Sequence, residues 1–307
     1  MPPRRAGGII PAMICRAFAC LLLLACTPRT NTPTASRVPA PGYDGPIIDV
    51  HAHVRTSQGD AMTSDQPIGV AELAALERAS GVEHAALIVI ARAGRIDDTR
   101  AANDAVLALA RASAGQFFAV PSVHPADGEA AMVELQRLAE AGARMIKLHP
   151  NTQGFDVAAP EVAAVVERAA TLRLVVLFDG YSPFDADQTG KFLRLAITHP
   201  DARIVLAHLG AMRFDEMAVF GLARRFEWYP RNVWFDLSAI ASFYGESPYA
   251  EQLRWVVRAI GVDRVMFGSD WPVDPPARAL AGVRALGFTP DEQRQILHDT
   301  AAALLGL

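Results

Sequence analysis

Cysteine is nearly missing from this chain. Its three copies, Cys15, Cys20 and Cys26, all fall in the first 26 of 307 residues. The remainder therefore has no disulfide framework, no thiolate zinc site and no cysteine nucleophile. A metal there must be held by His, Asp, Glu or a modified Lys. Charge of one sign is also lacking. The net charge is -4, from 29 basic and 33 acidic residues, which gives no footprint for nucleic acid and no polyacidic tail. No glycine-rich phosphate turn follows the first predicted strand, which argues against nucleotide binding on a doubly wound sheet. What is present suits a packed core: 51% hydrophobic and 20% charged residues.

The amino-terminal stretch "MPPRRAGGIIPAMICRAFACLLLLACTPRT" places Arg4, Arg5 and Arg16 ahead of an apolar run from Ala17 to Ala25. The run is too short to remain as a bilayer-spanning helix, and the order of charge, apolar run and small residue is that of a secretory signal. "LLAC" at Leu23–Cys26 resembles the bacterial lipoprotein cleavage box. That resemblance implies lipidation of Cys26 and anchoring to a bacterial cell membrane, on its periplasmic or outer face. Met13 is an alternative start, because the stretch after it is a complete signal. Residues 27–45 are dominated by Pro, Thr, Ser and Ala, and they read as a flexible tether. The expected organisation is a signal over 1–26, a linker over 27–45 and one folded domain over 46–307.

From Ile47 onward, short apolar runs alternate with longer amphipathic stretches. Strands are predicted over 47–51, 85–90, 117–123, 143–149, 174–179, 203–208, 233–238 and 264–270. "TPDEQRQIL" opens the last helix, with Thr289 as N-cap and Glu292 completing a capping box. Strands alternating with helices imply parallel pairing through right-handed crossovers. Eight units in this length predict an α/β protein of the (β/α)8 TIM-like barrel class.

In such a barrel the chemistry sits at the carboxyl ends of the strands. There the sequence places His51 and His53, then Lys147 and His149, then Asp179, His208 and Asp270. Alternation along a strand turns His51 and His53 the same way, and likewise Lys147 and His149. Two imidazoles side by side suit a divalent cation. His124 is a weaker candidate at the correct end, while Arg55, Arg92, Tyr181, Tyr244 and Trp271 follow strand ends as rim residues. His84, His199 and His298 read as structural.

The series "IIDVHAH", "IKLHP", "VLAHLG" and "MFGSDWP", in that order on successive strands, resembles the amidohydrolase superfamily, in its amidohydrolase-related branch. The resemblance covers the chain from about Ile47 to Leu307. It implies that His51 and His53 are metal ligands and that His208 is a ligand or polarises water or substrate. It implies that Asp270 is both ligand and proton acceptor, and it allows a carboxylated Lys147 bridging two ions, although a paired inward lysine is the plainer reading. His149 is a candidate for substrate contact or for a replacement ligand in place of the missing fifth-strand histidine, and Lys147, Tyr181 and Trp271 are substrate-binding or auxiliary candidates. The departure is on the fifth strand, where "VVLFD" puts Asp179 in the place of a family histidine. Asp179 is then a carboxylate ligand, or a residue orienting His208 or His149, or the mark of a site that has lost its ion.

The activity so implied is a metal-dependent hydrolase using one divalent ion, zinc or manganese. It would cleave an amide, lactone or other carboxylic ester of a small-molecule substrate through activated water. A non-oxidative decarboxylase on the same scaffold, a metal-free lactonase and a non-catalytic binding lipoprotein are the alternatives.

Overall fold

The computed structural model describes residues 42–55 and 69–307. The expected signal with Cys26, the linker up to residue 41 and most of the loop after the first strand lie outside the described residues.

All eight predicted strands form: β1 Ile47–Asp49, β2 Val82–Ile88, β3 Phe117–Val120, β4 Met145–Leu148, β5 Val175–Phe178, β6 Arg203–Leu206, β7 Val233–Asp236 and β8 Val265–Met266. Each pair of sequence neighbours within a sheet runs parallel. Regular ladders join β1 to β3 in one sheet and β4 to β8 in another. Two seams close the ring. At the first, the Lys147 N–H donates to the Pro121 carbonyl at 2.8 Å, and Ser122 Oγ donates to the Lys147 carbonyl at 2.8 Å. At the second, the N–H groups of Val50, Asp270 and His53 donate to the carbonyls of Phe267, His51 and Trp271 at 3.1, 2.6 and 2.8 Å. The result is the expected (β/α)8 barrel.

Most strands stop short of their apolar runs. The run over 264–270 yields only β8 as regular strand, since the chain beyond Met266 leaves the ladder and reaches left-handed backbone at Asp270, φ 66°. Residues of the site thus sit just past the strands that carry them.

The strand period of two sorts the core. On β5, Val175 and Leu177 point into the barrel interior, where they join Ile48, Val50, Val205 and Met266. Val176 and Phe178 point outward into the layer covered by helices. Leu304 and Leu305 of the last helix fill the interior from the amino ends of the strands. Arg144 holds that helix by donating from Nη1 to the carbonyls of Leu305 and Gly306 at 3.0 and 2.7 Å. The capping box at Thr289 and Glu292 forms as its spacing predicts.

Leu177 is fully buried in that interior, so Leu177→Ala should cost about 2–5 kcal/mol of stability in urea unfolding. Phe184→Ala, at a residue that is 91% exposed, should cost little. Equal losses in the two variants would contradict the inward placement of Leu177.

Candidate active site

Alternation on β5 carries inward from Val175 and Leu177 to Asp179, which therefore faces the barrel mouth. Lys147 follows Met145 on the same inward face of β4 and is fully buried. β6 behaves otherwise. Its period would put His208 outward with Ile204 and Leu206. Instead His208, Leu209, Gly210 and Ala211 take positive φ in succession, 59°, 44°, 75° and 46°. This left-handed run, sterically costly outside glycine, brings the His208 ring over the mouth. After β8, Gly268 makes room for the site, since a Cβ there would lie 2.8 Å from His51 Cβ and 3.1 Å from Ser238 Cβ.

Two polar groups result. In the first, His51 Nε2 lies 3.1 Å from His53 Nε2, 3.1 Å from Lys147 Nζ and 3.4 Å from Asp270 Oδ1. His53 Nε2 lies 3.5 Å from the same Asp270 oxygen. In the second, Asp179 Oδ2 sits 3.3 Å from His149 Nε2 and 3.3 Å from His208 Nε2, while its Oδ1 accepts the Tyr181 N–H at 3.2 Å. Asp236 joins the two. Its Oδ2 accepts from His51 Nδ1 at 3.0 Å, and its Oδ1 accepts the N–H groups of His208 and Ser238, both at 3.0 Å. Ser238 Oγ also donates to Asp236.

Burial pulls the His51 and His149 imidazoles down to about 4. Burial likewise holds His53 well below its usual range and lowers the Lys147 amine. The three imidazoles favour their neutral forms. His208 goes the other way. Burial works against its charge, but Asp270 and the bonded Asp179 outweigh it and raise the ring to about 9. The charged ring has partners on both nitrogens, since Nδ1 lies 3.1 Å from the Ser238 carbonyl. Asp179 is held below the carboxylate range because His149 and His208 overcome its burial.

The donor chemistry fits a divalent cation. Asp236 takes the Nδ1–H of His51, which leaves a lone pair on Nε2. That atom, His53 Nε2 and an Asp270 oxygen converge, and the three residues form one of two groups with metal-ligating spacing among the described residues. The other is His51, His208 and Asp236. Asp179 belongs to neither.

A cleft of about 470 Å³ opens over this cluster, with His149, Asp179, His208 and Asp270 at its polar end and Met212, Phe243 and Val273 among its walls. A family model described as amidohydrolase matches residues 48–307. The chain belongs to the amidohydrolase family. Solved structures similar to this amidohydrolase include 5-carboxyvanillate decarboxylase from Sphingomonas paucimobilis, 19% identical with a TM-score of 0.63 over 85% of this chain and 99% of that one. Another is 2,6-dihydroxybenzoate decarboxylase from Rhizobium, 18% identical with a TM-score of 0.64 over 85% and 98%. A third is 5-carboxyvanillate decarboxylase from Novosphingobium aromaticivorans complexed with manganese, 18% identical with a TM-score of 0.65 over 87% and 97%. At such identities the likeness shows the shared fold. Among curated proteins, an uncharacterised protein of Sinorhizobium fredii is 32% identical over 130 residues, which cover 38% of this chain and 42% of that protein. The chain thus matches less than half the length of that relative. Family membership makes the protein an enzyme.

Of the residues singled out in the sequence, the amidohydrolase barrel brings together His51, His53, Lys147, His149, Asp179, His208 and Asp270. Tyr181 lines the cleft. Trp271 does not, because it lies at the seam where Ala52 bridges it, partly buried against the outer core. His124 is spent on local structure, with Nδ1 accepting the Ala126 N–H at 3.1 Å and Nε2 bonded to the Gln153 carbonyl at 2.8 Å. Asp236 and Ser238 were missed. The signal was available in "VWFDLS", where a carboxylate ends a strand as Asp179 and Asp270 do.

The metal-stripped protein should lose stability toward both acid and alkali. His51 and His149 titrate near 4 when folded against an ordinary 6.5, so their contribution is present above pH 6.5 and lost as pH falls toward 4. His208 titrates near 9, so its contribution is present below 6.5 and lost as pH rises through 9. Melting temperatures across this range should therefore peak near neutrality, and His208→Gln should flatten the alkaline limb. An unchanged alkaline limb in that variant would refute the raised His208.

Proposed function

We propose that this enzyme is a metal-dependent hydrolase that adds water to the carbonyl of an amide, lactone or other carboxylic ester. The observation that supports this most is the convergence of His51 Nε2, His53 Nε2 and Asp270 Oδ1 beside a cleft that also presents a charged His208. His51, His53 and Asp270 would hold one divalent ion, zinc or manganese. When bound, the ion supplies a Lewis acid that polarises a carbonyl and acidifies water. Asp270 takes the proton of the attacking water and passes it to the leaving group. His208 steadies the negative charge that gathers on the carbonyl oxygen. We assign Asp179 to keeping His208 charged and to orienting His149, on the strength of its two 3.3 Å contacts. His51 is held in its ligating tautomer by Asp236, and Lys147 packs against its Nε2.

Decarboxylation is the second reading. It is supported by the apolar cleft walls and by structural neighbours that are decarboxylases. There the C–CO2 bond would break and a proton from His208 would go to carbon.

Protein loaded with zinc or manganese should turn over a member of a panel of lactones, esters, amides and aromatic acids. Oxygen-18 from water in the product acid marks hydrolysis, and release of carbon dioxide without it marks decarboxylation. Asp270→Asn should lower the rate about 10²–10⁴-fold. Elemental analysis should find the metal lost in His51→Ala and kept in Asp179→Asn. Metal lost from Asp179→Asn would place that carboxylate among the ligands, and full activity in Asp270→Asn would sink the mechanism.

We also propose that the chain is tethered to a membrane through a lipid on Cys26, on the strength of the "LLAC" box. Cys26→Ala should move the protein from the membrane fraction to the soluble one. A membrane-bound Cys26→Ala protein would argue against the anchor.

A further inference from the structure

Four residues beyond Asp270 lies a second carboxylate, Asp274, and four beyond that a cation, Arg278. Arg278 stands in the first turn of the helix Pro276–Ala285, and both residues line the cleft that holds His208 and Asp270. Arg278 Nε is 3.5 Å from Asp274 Oδ1, with the arginine side chain 67% exposed and the aspartate side chain 3% exposed. Neither Asp274 oxygen has a hydrogen-bond partner among the described residues, so the contact is one of charge. A carboxylate buried without donors is costly. Asp274 is tolerable there because a cation lies over it, and it holds that cation at the cleft.

An exposed ion pair between residues four apart is usually surface decoration. Two features separate this one. The carboxylate is buried while the guanidinium is open and lines the cleft. The guanidinium makes no hydrogen bond to either Asp274 oxygen. The surrounding walls are apolar and open: Met212, Phe243 and Val273 are 58%, 64% and 69% exposed. Such walls favour an apolar ligand body, and a planar guanidinium fork matches a carboxylate.

We propose that Arg278 is the specificity-determining residue of this cleft, that it reads a carboxylate on an otherwise apolar substrate, and that Asp274 is its positioning residue. The carboxylate is separate from the group that meets Asp270 and His208. The proposal rests on the cleft being the substrate site of the proposed function.

Binding of two probes to the metal-loaded full chain tests it without turnover. Isophthalate and benzoate share an apolar ring and differ by one carboxylate. By calorimetry, isophthalate should bind about ten-fold more tightly. Arg278→Gln should abolish that preference, and Arg278→Lys should restore part of it. Asp274→Asn should weaken the preference while benzoate affinity stays unchanged, which a merely structural role would not produce. Equal affinities in the unaltered protein, no isophthalate binding up to millimolar concentration, or a preference intact in Arg278→Gln would each overturn the proposal. Because no reaction is measured, the charge preference stands or falls apart from any failure to find hydrolysis.

Discussion

The site depends on one buried carboxylate. Asp236 accepts the ring N–H of His51, the backbone N–H groups of His208 and Ser238, and the Ser238 hydroxyl. With these contacts it sets which nitrogen of His51 is free and pins the left-handed turn that aims His208. It also offsets the cost of its own burial, because its lone pairs are met by donors fixed in place. His51 would otherwise choose its tautomer from less constrained neighbours, and the turn after β6 would lose the contact at its first residue. Ligand geometry and acid–base geometry thus share a support that touches neither the cleft nor solvent.

The electrostatic pattern follows from that support. Imidazoles deep in the barrel are neutral because burial dominates, as at His51 and His53. His208 lies at the cleft and is less enclosed, and it is charged because carboxylates surround it. Two histidine types at one barrel mouth therefore do different work: lone pairs on one side, a proton on the other. That division is what a metal-assisted acid–base mechanism needs.

Much of this was legible in the sequence. The apolar runs gave eight strands, and period-two alternation is enough to turn Asp179 inward on β5. Strand-end logic found His51, His53, Lys147, His149, His208 and Asp270. It did not find how His208 reaches the mouth, because a run of positive φ breaks the period and only one of its four residues is glycine. Asp236 was passed over although it ends a strand, since its importance lies in contacts with residues 185 and 28 positions away in sequence. Asp274 and Arg278 carried no motif. Their relation depends on unequal burial of a residue just before a helix and one in its first turn, which local sequence does not encode. Trp271 shows the converse, a large aromatic beside the key aspartate whose work is packing at a seam.

The seams themselves have a consequence. His51 and His53 extend from the three-stranded sheet, while Lys147, Asp236 and Asp270 belong to the five-stranded side. The bonds of His51 with Asp236 and Lys147 therefore run across a joint where regular pairing is interrupted. The polar cluster is a rivet as well as a site. Anything seated among these residues would grip both halves of the barrel at once, so filling the site and fastening the ring shut are a single thermodynamic event.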